Sequence, residues 1–270
     1  MGLHILDFPA AATVATRVEV VSRTGSTNAD LVRDHTLDPG AWPNLSVLVT
    51  DDQTDGRGRR GRTWEAPAGS ALAISVVLDV SGLRPVDRGW IPLIAGAALT
   101  RAVAGQLSAP LGDTHTVRMK WPNDVLVDGR KVCGILAEVA PGAQASIVVG
   151  AGVNTAMTAE QLPTPTATSL AVLGMTVTPS VLDTLLADYL AALGELVGAL
   201  LMEDGDASRS GVHDEVEALC GTIGSSVRVH LPDGTELVGE AVRIGPHGEL
   251  VVRNGVDETS VVAGDVVHVR

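Results

Sequence analysis

From Thr116 to Asn154 the chain is written almost entirely in strand. TVRMKW, NDVLV, KVCGILAEVA and SIVVGAGVN follow one another, with Asp128-Gly129 between the second and third. An Asp-Gly pair between two such runs supplies the backbone freedom of a tight hairpin turn. Further strands are expected at RVEVV (17–21), at 46–50 and at 72–80, each bounded by turn residues. Apolar residues at helical spacing then predict two long helices. One covers about 87–107, through Trp90, Leu93, Ile94, Ala97, Ala98 and Val103; the other covers about 180–202, through Leu185, Leu186, Tyr189, Leu193 and Leu200. A shorter helix is expected after TGSTN, whose Ser, Thr and Asn are start signals, and another over 212–219. The pattern reads as α+β, a mixed sheet with helices packed on it.

After Gly221 the text changes to short strands separated by PDG, PHG and NG turns. Strands at that spacing predict a small β-barrel. The expected organisation is therefore residues 1–16 as a segment without fixed structure, 17–221 as the larger domain and 222–270 as the barrel.

The charge pattern narrows what such a fold can bind. The 270 residues carry a formal net charge of −13, which opposes broad binding to nucleic acid or to an anionic membrane. Yet Gly56 to Arg62 reads GRGRRGR and gathers four of the nineteen basic side chains into seven residues. Guanidinium forks and glycine-exposed N–H groups bind phosphate and carboxylate oxygens, so the loop calls for an anionic ligand. Cys133 and Cys220, the only cysteines, lack metal or redox spacing and read as buried thiols. No secretory leader precedes the first strand, and a cytoplasmic location is expected.

Each motif has a plain alternative. GRGRRG fits the dinucleotide fingerprint only formally, because Pro67, Gly69 and a strand follow where a helix would have to start. In KWPND, Asn123 and Asp124 set a carbonyl oxygen beside a carboxylate, as an ordinary turn also would. Lys120 and Lys131 are the only lysines among seventeen arginines, and GAGVN places glycines at a strand end, open to a close approach.

In combination and order, STN, GRGRRGRTW, KWPND, GRKVCGILAE and VVGAGVN, followed by a small β module, resemble the biotin protein ligases, from about residue 17 to the C-terminus. The resemblance implies a biotin-lipoate ligase-like catalytic domain, related to the class II synthetases, and an SH3-like C-terminal barrel. It implies that biotin and ATP react to biotinyl-5′-adenylate, which then acylates a lysine of the biotin carboxyl carrier domain of an acyl-CoA carboxylase. Ser26, Thr27, Asn28 and Gln53 would line the biotin site. Arg57, Gly58, Arg59 and Lys131 would hold the biotin carboxylate and α-phosphate, with Arg57, Arg59 and Lys131 carrying catalysis. Arg62, Trp64, Lys120, Asn123 and Asn154 would bind ATP and the adenylate, and Asp124 would sit near Mg²⁺. Sixteen residues before the first strand are too few for the DNA-binding domain some relatives carry, so neither DNA nor membrane is an expected partner. The alternatives are a lipoate or octanoate ligase of the same superfamily, and a sensor that binds biotin or nucleotide without catalysis.

Overall fold

The computed structural model describes residues 3–112, 114–142 and 145–268. Met1, Gly2, Val269 and Arg270, at the ends of the expected terminal segments, lie outside them. Nine strands come first in the chain: β1 (Arg17–Val20), β2 (Ser46–Thr50), β3 (Gly56–Arg57), β4 (Thr63–Trp64), β5 (Ala71–Asp79), β6 (Val117–Lys120), β7 (Asp124–Val127), β8 (Arg130–Ala140) and β9 (Ser146–Asn154). All but β3 and β4 form one seven-stranded sheet in the order β1-β2-β5-β9-β8-β7-β6. Only β1 and β2 run parallel; the other neighbours are antiparallel. Asp128 and Gly129 both adopt positive φ, as the β7–β8 hairpin demands.

Helices cover both faces. α1 (Ala11–Val14), α3 (Trp90–Leu111), α4 (Pro179–Met202) and α5 (Val212–Leu219) pack together on one side, and α2 (Thr27–Leu37) lies on the other. This is why β5 is buried along nearly its whole length and reads as a continuous apolar run. The segments 85–108 and Pro179–Met202 are long and apolar enough to cross a membrane, but here their apolar faces fill the core against the sheet and each other. Ser26 caps α2 through its side chain, which accepts from the Ala29 N–H.

The N-terminal segment corrects one expectation. Residues 3–16 are not free: Phe8 and Ala11 are fully buried, and the Asp183 carboxylate of α4 accepts from the N–H groups of Ala10 and Ala11 at 3.0 and 2.9 Å. A buried carboxylate and two orphan helix-start donors satisfy one another, an arrangement that no local sequence pattern announces.

The C-terminal strands are β10 (Ser226–His230), β11 (Glu236–Ile244), β12 (Leu250–Asn254), β13 (Asp257–Val261) and β14 (Asp265–His268). They pair antiparallel in the order β13-β12-β11-β10-β14, with a bulge between Ala241 and Arg243. The described residues of the small module form a five-stranded antiparallel sheet of SH3-like character, with no β13–β14 pairing among them. Two buried indoles join it to the rest: Trp90 donates to the Pro246 carbonyl and Trp121 to the Gly248 carbonyl, each at 3.0 Å. One hydrophobic cluster runs through both parts, from Val76 and Ile94 to Val229 and Leu250.

Candidate active site

The site forms because the central strands are stripped of side chains on the face beneath α2. In register, Ser75 of β5 lies opposite Gly150 of β9, and Gly150 opposite Leu136 of β8. One step along the same face, Ala73, Gly152 and Gly134 form the next row. The glycines leave a floor onto which other groups descend. A Cβ on Gly150 would sit 2.6 Å from Asn28 Oδ1, and a Cβ on Gly152 would fall within the Trp64 indole. Over this floor lies a cavity of about 640 Å³, lined by α2, the 53–64 segment, β8, β9, residues 120–124 and the start of β14.

One end of the cavity is lined by neutral, hydrogen-bonded side chains, with the Glu138 carboxylate behind them. Gln53 Oε1 accepts from the backbone N–H and the hydroxyl of Thr27, at 2.8 and 3.0 Å. Ser75 Oγ lies 2.9 Å from Thr27 Oγ1 and 3.1 Å from Asn28 Oδ1. Asn28 Nδ2 donates to Glu138 Oε2 at 2.5 Å and reaches the Leu136 carbonyl at 3.4 Å. Ser26, Thr27 and Asn28 are all at least 95% buried, so their polar atoms must be partnered by protein or ligand.

The other end is cationic. The Arg/Gly loop that joins two sheet strands carries structure of its own. β3 and β4 form a short hairpin around a 3-10 turn at Arg59–Gly61, with Arg60 at positive φ. The turn aims Arg59 inward, where Nη1 donates to Asn123 Oδ1 at 3.1 Å and approaches the Gly264 carbonyl at 3.4 Å. Arg60 and Arg62 both pair with Asp265 of β14. Arg57, which is exposed, and Gly58 also line the cavity. Lys131 Nζ lies 2.6 Å from Asp124 Oδ1 and 5.9 Å from the centre of the Trp64 ring. Burial lowers the pKa of Lys120, with Asp124 opposing that effect and Lys131 adding to it. Burial likewise lowers Arg59, against the pull of Asp265 and Asp124. Cations held in partly desolvated positions act strongly on any anion that replaces the lost water.

The cavity thus gathers Ser26, Thr27, Asn28, Gln53, Arg57, Gly58, Arg59, Arg62, Trp64, Lys120, Asn123, Asp124 and Lys131. Asn154 is the exception. It is 2% exposed at the end of β9, its amide donates to the Thr168 carbonyl at 2.9 Å, and it does not line the cavity. The chain crossing at 166–168, which pairs with Lys131 through backbone hydrogen bonds, covers that strand end. Asp124 lines the cavity beside Lys131. Its Oδ1 is taken by the Lys131 ammonium, and no group of three or more His, Cys, Asp or Glu converges among the described residues. Mg²⁺ is commonly held by one or two carboxylates together with nucleotide phosphates, so the expected role of Asp124 does not require such a cluster. Both thiols are buried, and burial pushes both pKa values up, so neither is poised as a nucleophile.

Sequence reasoning missed Ser75, Glu138 and Asp265. Ser75 and Glu138 sit inside strands whose alternation assigns them a face but not a neighbour, and Asp265 comes from the other module.

A model of the biotin/lipoate A/B protein ligase family matches residues 20–154. The chain belongs to this family. Over 254 residues it is 39% identical to the biotin-(acetyl-CoA-carboxylase) ligase of Mycobacterium tuberculosis, covering 94% of this chain and 90% of that protein. It is also 39% identical over 140 residues to the enzyme of the same name from Paracoccus denitrificans, a match covering 51% of this chain and 54% of that one. Among solved structures, the biotin protein ligase from Aquifex aeolicus in complex with biotin and ATP superposes with a TM-score of 0.74 at 21% identity, covering 94% of this chain and 99% of that one. That likeness bears on the ligase fold.

Proposed function

We propose that this ligase-family member activates biotin with ATP and transfers the biotinyl group to one lysine of the biotin carboxyl carrier domain of an acyl-CoA carboxylase. The observation that carries the reading is a single cavity with a neutral hydrogen-bonding end and a cationic end, spanned by one glycine floor. Biotin has the same polarity: an uncharged ureido ring at one end and a carboxylate at the other. The relatives named for this reaction support the assignment.

In the first step a biotin carboxylate oxygen attacks the α-phosphorus of ATP. The bond from that phosphorus to the bridging oxygen breaks, and pyrophosphate leaves with the electron pair. Both reactants are anions, so the barrier falls mainly through positioning and cations placed where charge moves. Lys131, held by Asp124, and Arg59, held by Asn123, meet that need without reorganising during the reaction. Lys120 adds charge nearby, Arg62 lies toward the polyphosphate, and Trp64 offers an aromatic face for the adenylate. In the second step the neutral amine of the carrier lysine attacks the acyl carbon. AMP departs, and the amine loses a proton to water. No protein nucleophile takes part. A cytoplasmic location, where ATP and carrier meet, completes the reading.

The test is to incubate the protein with biotin, MgATP and a biotin carboxyl carrier domain and to weigh the intact carrier. One biotinyl group on one lysine is expected. An unmodified carrier, with lipoate or octanoate transferred instead, would overturn the substrate assignment.

A further inference from the structure

The contact between Glu138 and Asn28 has no place in the reaction steps above, although it lies at the neutral end of the cavity. Glu138 stands two residues beyond Leu136 on β8, on the same face, and its Oε2 receives Asn28 Nδ2 at 2.5 Å. The Leu136 carbonyl takes the same amide nitrogen at 3.4 Å. A carboxylate and a carbonyl are acceptors only, so they fix which way the Asn28 amide faces. Turned over, Asn28 would set its own carbonyl oxygen against the carboxylate. In the observed orientation Oδ1 lies over Gly150, which lines the cavity, and beside the Ser75 hydroxyl.

Ser75 has one proton and two acceptors within reach, Thr27 Oγ1 and Asn28 Oδ1. Thr27 gives its own proton to Gln53. The network therefore holds more lone pairs than protons on the cavity side: Thr27 Oγ1 and Asn28 Oδ1 cannot both be satisfied by Ser75. The acceptor that Ser75 does not serve is filled by a ligand that brings an N–H.

We infer that Glu138 is a positioning residue that acts through Asn28, locking the amide so that the ring end of the cavity presents acceptors and selects ligands with ureido N–H donors. This rests on the biotin reading of the cavity. Without the carboxylate, Asn28 is free to turn and offer a donor, and the site loses its preference for N–H over N-substituted rings.

The experiment measures kcat/KM for adenylate formation with biotin and with biotin methylated on either ureido nitrogen, in the wild type, Glu138→Gln, Asn28→Ala and the double variant. The ratio between substrates does not depend on how much of each preparation is folded. Glu138→Gln is expected to raise the KM for biotin more than it lowers kcat, and to shrink the biotin preference at least tenfold for one of the two methyl isomers. The double variant should match Asn28→Ala. An unchanged preference in Glu138→Gln, or a further loss on adding it to Asn28→Ala, would overturn the positioning role while leaving the ligase reading intact. A wild type that adenylates no biotin would instead remove the reading on which the inference stands.

Discussion

The two ends of the cavity are built on different principles. At the ring end, polar atoms are buried, uncharged apart from Glu138, and carried by α2 and the central strands, whose hydrogen bonds fix them in place. At the phosphate end, Arg60 and Arg62 ride on a short hairpin and pair with Asp265, with Arg62 two-thirds exposed, while Lys131 of β8 pairs with Asp124. A neutral ring must be recognised by shape and donor count, which needs rigid placement. A polyphosphate is recognised by charge over longer range, and solvated ion pairs are weak enough for it to displace. The ring end is therefore organised before binding, whereas at the phosphate end Lys131 and Arg59 are anchored by Asp124 and Asn123 and only the outer arginines, Arg60 and Arg62, are held by ion pairs that a ligand can exchange.

Three substitutions would break or sharpen this contrast. Lys131→Ala should have the largest effect, lowering kcat for adenylate formation by about 10²–10³-fold, the usual cost of one preorganised charge-stabilising group. Its KM for biotin should hardly move. Pyrophosphate exchange kinetics would measure both, and a loss confined to KM would place Lys131 in binding alone.

Gly150→Ala probes the rigid end. The new Cβ meets Asn28 Oδ1 at 2.6 Å, with the Leu136 carbonyl at 3.3 Å, and the strand cannot retreat because it is paired on both sides. Overpacking of this kind costs about 1–3 kcal/mol, or roughly 5–150-fold in biotin affinity, with ATP affinity unchanged. Calorimetric titration with each ligand would separate the two. Equal losses for both would mean that the ends are not independent.

Asp265→Asn probes the exchangeable end and should have the smallest effect. Exposed ion pairs contribute about 1 kcal/mol at most, so tryptic cutting after Arg59, Arg60 or Arg62 should quicken no more than about fivefold. Gly150→Ala should leave that cleavage rate unaltered. Unchanged proteolysis in Asp265→Asn would show that β14 does not restrain the hairpin.

Most of the sheet and its helices was legible in the chain because period and punctuation are local. The Asp128-Gly129 turn, the Ser26 cap and the stripe through Leu185, Tyr189 and Leu193 each act within a few residues. The N-terminal segment was not legible, since its order depends on a carboxylate 172 residues away in sequence. The same holds for Asn154. Its place in a glycine-rich strand end is readable, but the crossing at 166–168 that buries it is a tertiary event.

What the sequence determined by itself was the inventory: a cation-rich loop on an acidic chain, two lysines among seventeen arginines, a Ser-Thr-Asn helix start and glycines in the central strands. Residue type fixes what a group can donate, accept or neutralise. What only the tertiary structure decided was partnership. Antiparallel register set Gly150 between Ser75 and Leu136, brought Glu138 under Asn28, and let β14 deliver Asp265 to the arginines. Strand alternation assigns a side chain to a face, but the neighbour across the sheet is set by pairing between segments far apart in the chain.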